Sequence, residues 1–251
     1  ASISQSETMP GSIASKAFMK ALYGEHPYGL SSSGEIETIK KISKKDLHNF
    51  YKNNYFSNEL SIVIVGDISR KEAENLGNKI SLGFTQSTIE LPIPLVNEVK
   101  GQEIKISHPA KQAHLYYGAP IIKRGDPDFL TLYLGNYILG GGGFVSRLTQ
   151  VIREDRGLAY SVYSYFMPFI EKGPFQIGVQ TKKNQVGQAK KLIDKTVAEF
   201  IKYGPRSEEL QRAKDFMIGG FPLKLDSNKS ILEYVSMMAF YKYPLDYLDT
   251  F

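Results

Sequence analysis

The stretch LGGGGFVSRLTQVIREDRGLAYSVYSYF, from Leu139 to Phe166, organises the rest of this chain. Four consecutive glycines, Gly140, Gly141, Gly142 and Gly143, separate one apolar helical pattern from the next. Glycine tolerates positive φ and lets other backbone come close. The run therefore predicts a flexible, exposed turn between two helices.

The residues after the glycines predict a helix that leads into a strand. The helix carries an apolar stripe formed by Phe144, Val145, Leu148, Val151 and Ile152. Gly157 is placed to end it after a cluster of charged residues. From Tyr160 to Phe166 the side chains alternate as in a β-strand. This arrangement brings Arg153 and Tyr160 near a common point.

Two interpretations of Arg153 and Tyr160 follow from this pattern. They are either a surface arginine and a half-buried tyrosine with structural roles, or a guanidinium and a phenol that act together. In the second case both would donate hydrogen bonds to one developing oxyanion or bound peptide carbonyl, which is electrostatic stabilisation by positioned donors. The glycine run would then be a candidate peptide-contacting loop.

The composition narrows the classes of function. The chain has 251 residues, a formal net charge of +5 and no cysteine, which excludes disulfides and thiolate metal sites. Its lysines lie in helical patterns and mix with acidic residues, so we expect solvated helix faces rather than a nucleic-acid partner. No apolar run is long enough to predict a transmembrane segment.

Neither a metal site nor a phosphate loop is predicted. No two of the four histidines have the helical spacing that places two imidazoles on one face, and the four are His26, His48, His108 and His114. A phosphate loop needs a strand before the glycines and Lys-Ser/Thr after them. Here a helix precedes the glycines and Phe144-Val145 follows them.

The first third of the chain predicts helices around one short strand. Pro10 to Tyr23 has a helical apolar stripe, and Ser43 and Ser69 begin capping boxes. On the helix after Ser43, we expect a buried face formed by Leu47, Phe50 and Tyr51. Leu60 to Val65 is apolar and β-branched, which predicts a strand buried on both faces.

The remaining segments predict a second α/β region after an extended connector over 83–102. Strands are expected over 103–107 and 112–118, and an apolar helix over 128–139. A strand over 175–181 is expected to pair with 160–166 as an antiparallel hairpin. The amphipathic pattern of 185–203 predicts a long helix.

The glycine stretch and the segment R-E-D-R-G-L-A-Y-S-V together resemble the second domain of the insulinase/pitrilysin family of metallopeptidases, which carry an inverted H-x-x-E-H zinc motif. YGEHPYG, ISKKDLHNFYKNNY and NELSIVIVGDIS are similar to the latter half of the family's first domain. The resemblance implies an α+β fold of two α/β sandwich domains with mostly antiparallel sheets flanked by helices. It divides the chain into 1–84, a linker over 85–102 and 103–251, with both domains expected to be incomplete.

The resemblance also implies a function. Family enzymes bind zinc in the first domain and cleave peptides or unfolded segments in a chamber that closes like a clam. Arg153 and Tyr160 match the catalytic Arg and Tyr of the second domain, and Gly140 to Gly143 would contact substrate. Because H-x-x-E-H does not occur here, we expect no zinc on this chain. It is expected to be a fragment of a zinc endopeptidase or a non-catalytic member, acting with a homologous partner subunit or as a homodimer, with a periplasmic location favoured.

Overall fold

Two compact units make up the computed structural model, which describes residues 2–86 and 92–249. One unit consists of Ala1–Ile36 and Ile93–Phe216, and the other consists of Glu37–Pro92 and Met217–Phe251. The family resemblance implies a different division, with domains over 1–84 and 103–251 and a linker over 85–102. That division stays a prediction.

Helices dominate the fold, and three strands form its sheet. In chain order the elements are α1 (Ser2–Ser6), α2 (Pro10–Tyr23), α3 (Ile36–Ile39), α4 (Lys44–Asn54), α5 (Arg70–Ser81), β1 (Gln112–Ile122), α6 (Phe129–Asn136), β2 (Ala159–Phe166), β3 (Gly173–Lys182), α7 (Val186–Tyr203), α8 (Ser207–Gly220) and α9 (Asn228–Phe240). Two π-helical turns, Tyr137–Gly141 and Thr149–Glu154, lie between α6 and β2. This is the α+β architecture that the sequence predicts.

The three-stranded sheet is antiparallel and has the order β1-β3-β2. The predicted hairpin is confirmed as β2 and β3, and the predicted strand over 112–118 continues to Ile122. The strand predicted over 103–107 is wrong. That segment is irregular because, within the described residues, no strand hydrogen-bonds to it.

The core of the first unit lies between this sheet, α7 and the segment that connects the glycines to β2. Leu148 and Ile152 are fully buried, which confirms the inner part of the predicted apolar stripe. Phe144 and Val145 were expected on the same stripe but are exposed. They lie on a separate 3₁₀ turn, Gly143–Val145, so their side chains do not continue the helical face of Leu148.

The second unit confirms the predicted helix caps but not the predicted burial. Ser43 and Ser69 each begin a helix with a complete capping box. The expected buried face of α4 is wrong, since Leu47, Phe50 and Tyr51 are all exposed.

The strand predicted over Leu60 to Val65 is also wrong. A strand forms only where a neighbouring strand supplies hydrogen bonds. Among the residues that the structure describes, this run has no such neighbour, and two of its residues are exposed.

One ion pair ties the connecting segment of the first unit to α8. The Arg147 guanidinium donates to both carboxylate oxygens of Glu209, at 3.0 and 2.6 Å, and to the Gly204 carbonyl at 3.0 Å. It also lies 5.0 Å from the centre of the Phe200 ring. The hydrogen bond from Arg147 lowers the pKa of Glu209 to about 2, and Arg206 adds to the effect. The pair therefore stabilises the fold while Glu209 is ionised.

The pH dependence of stability follows from this shift. Since the folded pKa lies below the ordinary value of 4.5, the stabilisation is complete above that pH and is lost as the pH falls toward about 2. We expect Glu209→Gln to lower the free energy of unfolding at pH 7 by about 3 kcal/mol, because it leaves the charge of Arg147, whose side chain is only 19% exposed, without its carboxylate partner. Urea unfolding followed by circular dichroism measures the change.

Glu208→Gln is the matched control, because Glu208 is the neighbouring carboxylate and is exposed. It should leave the free energy of unfolding nearly unchanged. The difference between wild type and Glu209→Gln should also shrink from pH 7 to pH 3. Equal losses for both variants at pH 7 would contradict the role of this ion pair.

Candidate functional site

The glycine run lies against strand β2. Gly140 is buried in the π-helical turn Tyr137–Gly141. A Cβ atom at Gly140 would lie 2.4 Å from Ser164 Oγ and 2.8 Å from Ser164 N, so no side chain fits there. Gly143 has φ of +61°, a conformation that favours glycine. The predicted exposed turn is therefore wrong for Gly140, while Gly141 and Gly143 are exposed and Gly142 is partly buried.

A buried polar pair holds this close approach in place. Ser164 Oγ donates to Asn136 Oδ1 at 2.6 Å, and Asn136 Nδ2 donates to the Ser164 carbonyl at 3.2 Å. Both side chains are almost fully buried, and each satisfies polar atoms of the other. The pair links the end of α6 to the middle of β2, on either side of Gly140.

Arg153 lies on the second π-helical turn, Thr149–Glu154. Its guanidinium carbon is 4.8 Å from the centre of the Phe144 ring, and its Nε is 3.6 Å from a carboxylate oxygen of Glu154. The side chain is half-exposed. Arg153 is thus held beside the residue that follows the glycine run, with part of its guanidinium open to solvent.

Tyr160 lies on a β-bulge at the start of β2. Ala159 pairs with Thr181 and Ser161 pairs with Gln180, so Tyr160 is the extra residue between two successive pairs. Its ring is half-exposed, and its hydroxyl makes no hydrogen bond to any described residue. A bulge turns a side chain away from the regular alternation of the strand, and such bulges are over-represented next to active sites.

Tyr160 contributes to the wall of a cavity of about 690 Å³, which we call the strand-end cavity. It lies where β1 begins and where β3 ends, and its lining includes Pro10, Lys111, Gln112, Tyr160, Lys182 and Lys183. Its volume is in the range of sites that hold small ligands or single side chains.

Arg153 is not among the residues that line the strand-end cavity. The two predicted catalytic residues therefore have different surroundings. Arg153 lies beside the Phe144 ring, and Tyr160 lies at the strand-end cavity. Their catalytic roles and the substrate role of Gly140 to Gly143 stay predictions.

The residues that position this region carry only weak signals in the sequence. Asn136 is a lone amide in an apolar helix, which is a signal that it needs a buried partner. Ser164 occupies an inward position of β2, but nothing in the sequence names it as that partner. The lysines of the strand-end cavity come from two segments about 70 residues apart, and only the pairing of β1 with β3 brings them together.

No group of three histidine, cysteine or carboxylate side chains within 2–86 and 92–249 could hold a metal ion. Two histidines make hydrogen bonds to the backbone. His26 Nε2 lies 2.8 Å from the Pro94 carbonyl oxygen, and His108 Nδ1 accepts a hydrogen bond from the Ala110 amide. Burial lowers the pKa of His114, and His48 is exposed on α4. The described residues therefore do not fit a zinc ion.

The helices that the structure describes are all too short or too polar to cross a bilayer.

Residues 41–217 match the family described as "Peptidase M16 inactive domain". The chain is 31% identical over 227 residues to a Bacillus subtilis protein named uncharacterized zinc protease YmxG, and covers 54% of its length. It is 30% identical to a Helicobacter pylori protein named non-peptidase homolog YmxG, which matches all of this chain and is covered over 58% of its length. The chain thus spans little more than half the length of these relatives.

Solved structures share the fold. A crystal structure titled as a peptidase M16 inactive domain from Pseudomonas fluorescens matches with a TM-score of 0.94 at 36% identity, over 99% of this chain and 59% of that one. A chain of complex III from Candida albicans matches with a TM-score of 0.77 at 12% identity, over 99% of this chain and 61% of that one. At that identity the likeness is one of fold alone.

The close approach at Gly140 can be tested by adding one methyl group. We expect Gly140→Ala to lower the free energy of unfolding by about 2 kcal/mol, because the methyl group would overlap Ser164 Oγ and its backbone nitrogen in a packed interior. Thermal and urea unfolding of the purified protein measure the loss.

Gly187→Ala is the control, because Gly187 lies in the first turn of α7 with no atom near the position of an added Cβ. It should raise the free energy of unfolding by up to about 1 kcal/mol, since alanine has the higher helix propensity. If Gly140→Ala were as stable as wild type, the packing of the glycine run against β2 would be wrong.

Proposed function

Since this chain belongs to the peptidase M16 inactive-domain family, we propose that it supplies peptide-binding groups to a larger M16 protein that cleaves peptides or unfolded segments. Its part would be to hold the peptide and to stabilise charge on the scissile carbonyl. The activity of the whole protein belongs to the proposal, because the chain spans little more than half the length of its relatives.

The position of Tyr160 is the observation that supports this proposal most directly. Its phenol is half-exposed on a β-bulge, contributes to the strand-end cavity and has no hydrogen-bond partner among the described residues. A phenol without such a partner can donate to a peptide carbonyl, and more strongly to the oxyanion that forms when the carbonyl is attacked.

Arg153 would supply a second donor. The Phe144 ring holds one side of its guanidinium, and the half-exposed remainder keeps N–H groups directed to solvent or ligand. The exposed backbone of Gly141 and Gly143, next to Phe144, would allow an extended peptide to approach closely. Arg153 and Tyr160 would then contact different parts of one peptide rather than a single atom.

Zinc has no place in this assignment. The described residues do not fit a zinc ion, so the proposal gives this chain no metal ligand and no role in activating water. Two relatives bear names of opposite meaning, zinc protease and non-peptidase homolog, so their names do not decide the activity of the whole protein.

Removal of one oxygen tests the role of Tyr160. In the full-length protein, Tyr160→Phe should lower kcat/KM for an unfolded peptide by about 10-fold to 100-fold, because one donor to the developing oxyanion is lost. Tyr203→Phe is the matched control, since Tyr203 is exposed at the end of α7. Unchanged kcat/KM in Tyr160→Phe would remove Tyr160 from catalysis.

A second function is a non-catalytic subunit that binds peptide beside an active homologue. It is favoured by the family description and by the Helicobacter pylori relative named non-peptidase homolog, which matches the whole chain. In that case the full-length protein should be inactive when purified alone. It should acquire peptidase activity when mixed with a partner that carries H-x-x-E-H, and activity of the isolated protein after metal loading would exclude this alternative.

A further inference from the structure

The strand-end cavity collects positive charge. Gln112 and Lys182 lie opposite each other on β1 and β3, and Lys111 and Lys183 are their neighbours in sequence. All four line the cavity with Tyr160. Because β1 and β3 are paired in register, Lys111 lies at the same opening as the adjacent pair Lys182 and Lys183, which is remote from it in sequence.

No aspartate or glutamate is among the described residues that line the cavity. The side chains of Lys111 and Lys182 make no ion pair with the described residues, and Lys183 Nζ donates to the His108 carbonyl. Some lysines elsewhere in this unit are paired, such as Lys190 with Glu103 at 2.6 Å and Lys16 with Glu35 at 2.7 Å, so what distinguishes Lys111 and Lys182 is that they line one cavity.

The remaining surface of the cavity suits the stem of a side chain. Pro10 and Ala110 provide apolar contacts beside the methylene groups of the lysines. Gln112 Oε1 accepts a hydrogen bond from Gln180 Nε2, which leaves Gln112 Nε2 as a neutral donor. The charged donors of the cavity that make no ion pair with the described residues are the Lys111 and Lys182 ammonium groups, and the Tyr160 hydroxyl lines the same cavity.

We propose that the strand-end cavity is a carboxylate subsite for bound peptide, in which Lys111 and Lys182 select an anionic group next to Tyr160. This inference rests on the peptide-binding function proposed above and adds a specificity to it. The carboxylate can come from an aspartate or glutamate side chain or from the free C-terminus of the peptide. Both sources present the same two oxygens, and lysine recognises them as a point charge.

Four fluorescent peptides of one length separate these sources. They carry either Glu or Gln at the centre and either a free or an amidated C-terminus, and their affinities for the full-length protein are measured by fluorescence anisotropy. The peptide with Glu and an amide identifies a side-chain subsite, whereas the peptide with Gln and a free carboxylate identifies a C-terminal subsite. The peptide with Gln and an amide measures binding without any carboxylate.

Removal of positive charge at the cavity should weaken the binding of anionic peptides only. We expect Lys111→Gln/Lys182→Gln to raise the Kd of the preferred anionic peptide by about fivefold to tenfold and to leave that of the neutral peptide unchanged. Lys191→Gln/Lys195→Gln is the matched control, because it removes the same charge from exposed positions on α7. The anionic preference should also decrease as salt is raised, since these charges are exposed to solvent.

The possible outcomes separate this inference from the proposed function. If all four peptides bind equally well, and the lysine variants do not change this, the carboxylate subsite is wrong while peptide binding stands. If none of the peptides binds, the proposed peptide-binding function itself fails. Equal weakening by the α7 control variant would show that overall charge, rather than this cavity, selects the peptide.

Discussion

The absence of a side chain at Gly140 is the constraint on which this region of the structure depends. The backbone of the first π-helical turn lies so close to Ser164 that a single methyl group would overlap both its hydroxyl and its amide nitrogen. This contact fixes the distance between the end of α6 and β2, and the Asn136–Ser164 hydrogen bonds maintain it. The segment that carries Arg147 and Arg153 begins from this point, so its path follows from the same contact.

Irregular backbone is concentrated where the candidate groups lie. Arg153 lies on a π-helical turn, the glycine run overlaps another, and Tyr160 is the extra residue of a β-bulge. Each of these features departs from the regular hydrogen-bond pattern and persists only where the surroundings compensate for it. Here the same segment is held in two ways. Leu148 and Ile152 pack in the core, and Arg147 forms an ion pair with Glu209. This coincidence of irregular geometry with exposed donors favours a binding role over a purely structural one.

The proposed peptide-binding role is compatible with both kinds of name found among the relatives. A chain without a metal-ligand cluster among its described residues can belong to an active peptidase or to a silent subunit, because the proposed peptide contacts need no metal. The proposed carboxylate subsite would give either protein a source of selectivity. Its positive charge would orient an anionic peptide and accelerate its association before any chemistry takes place.

The sequence by itself determined the elements whose signals are local. Alternation of side chains identified β2 and β3, the capping serines placed the starts of α4 and α5, and Gly157, which has φ of +60°, marked the end of the helical segment before β2. These features depend on residues within a few positions of one another, so pattern is sufficient to find them.

Tertiary structure decided whatever depends on a distant partner. Leu60 to Val65 has every local property of a strand but forms none, because a ladder of hydrogen bonds needs a second strand beside it. The partner of Asn136, the partner of Arg147 and the convergence of lysines on Tyr160 were equally invisible. Hydrogen bonds, ion pairs and cavities form between segments that packing brings together. The positions of those segments in the sequence do not show that they are in contact.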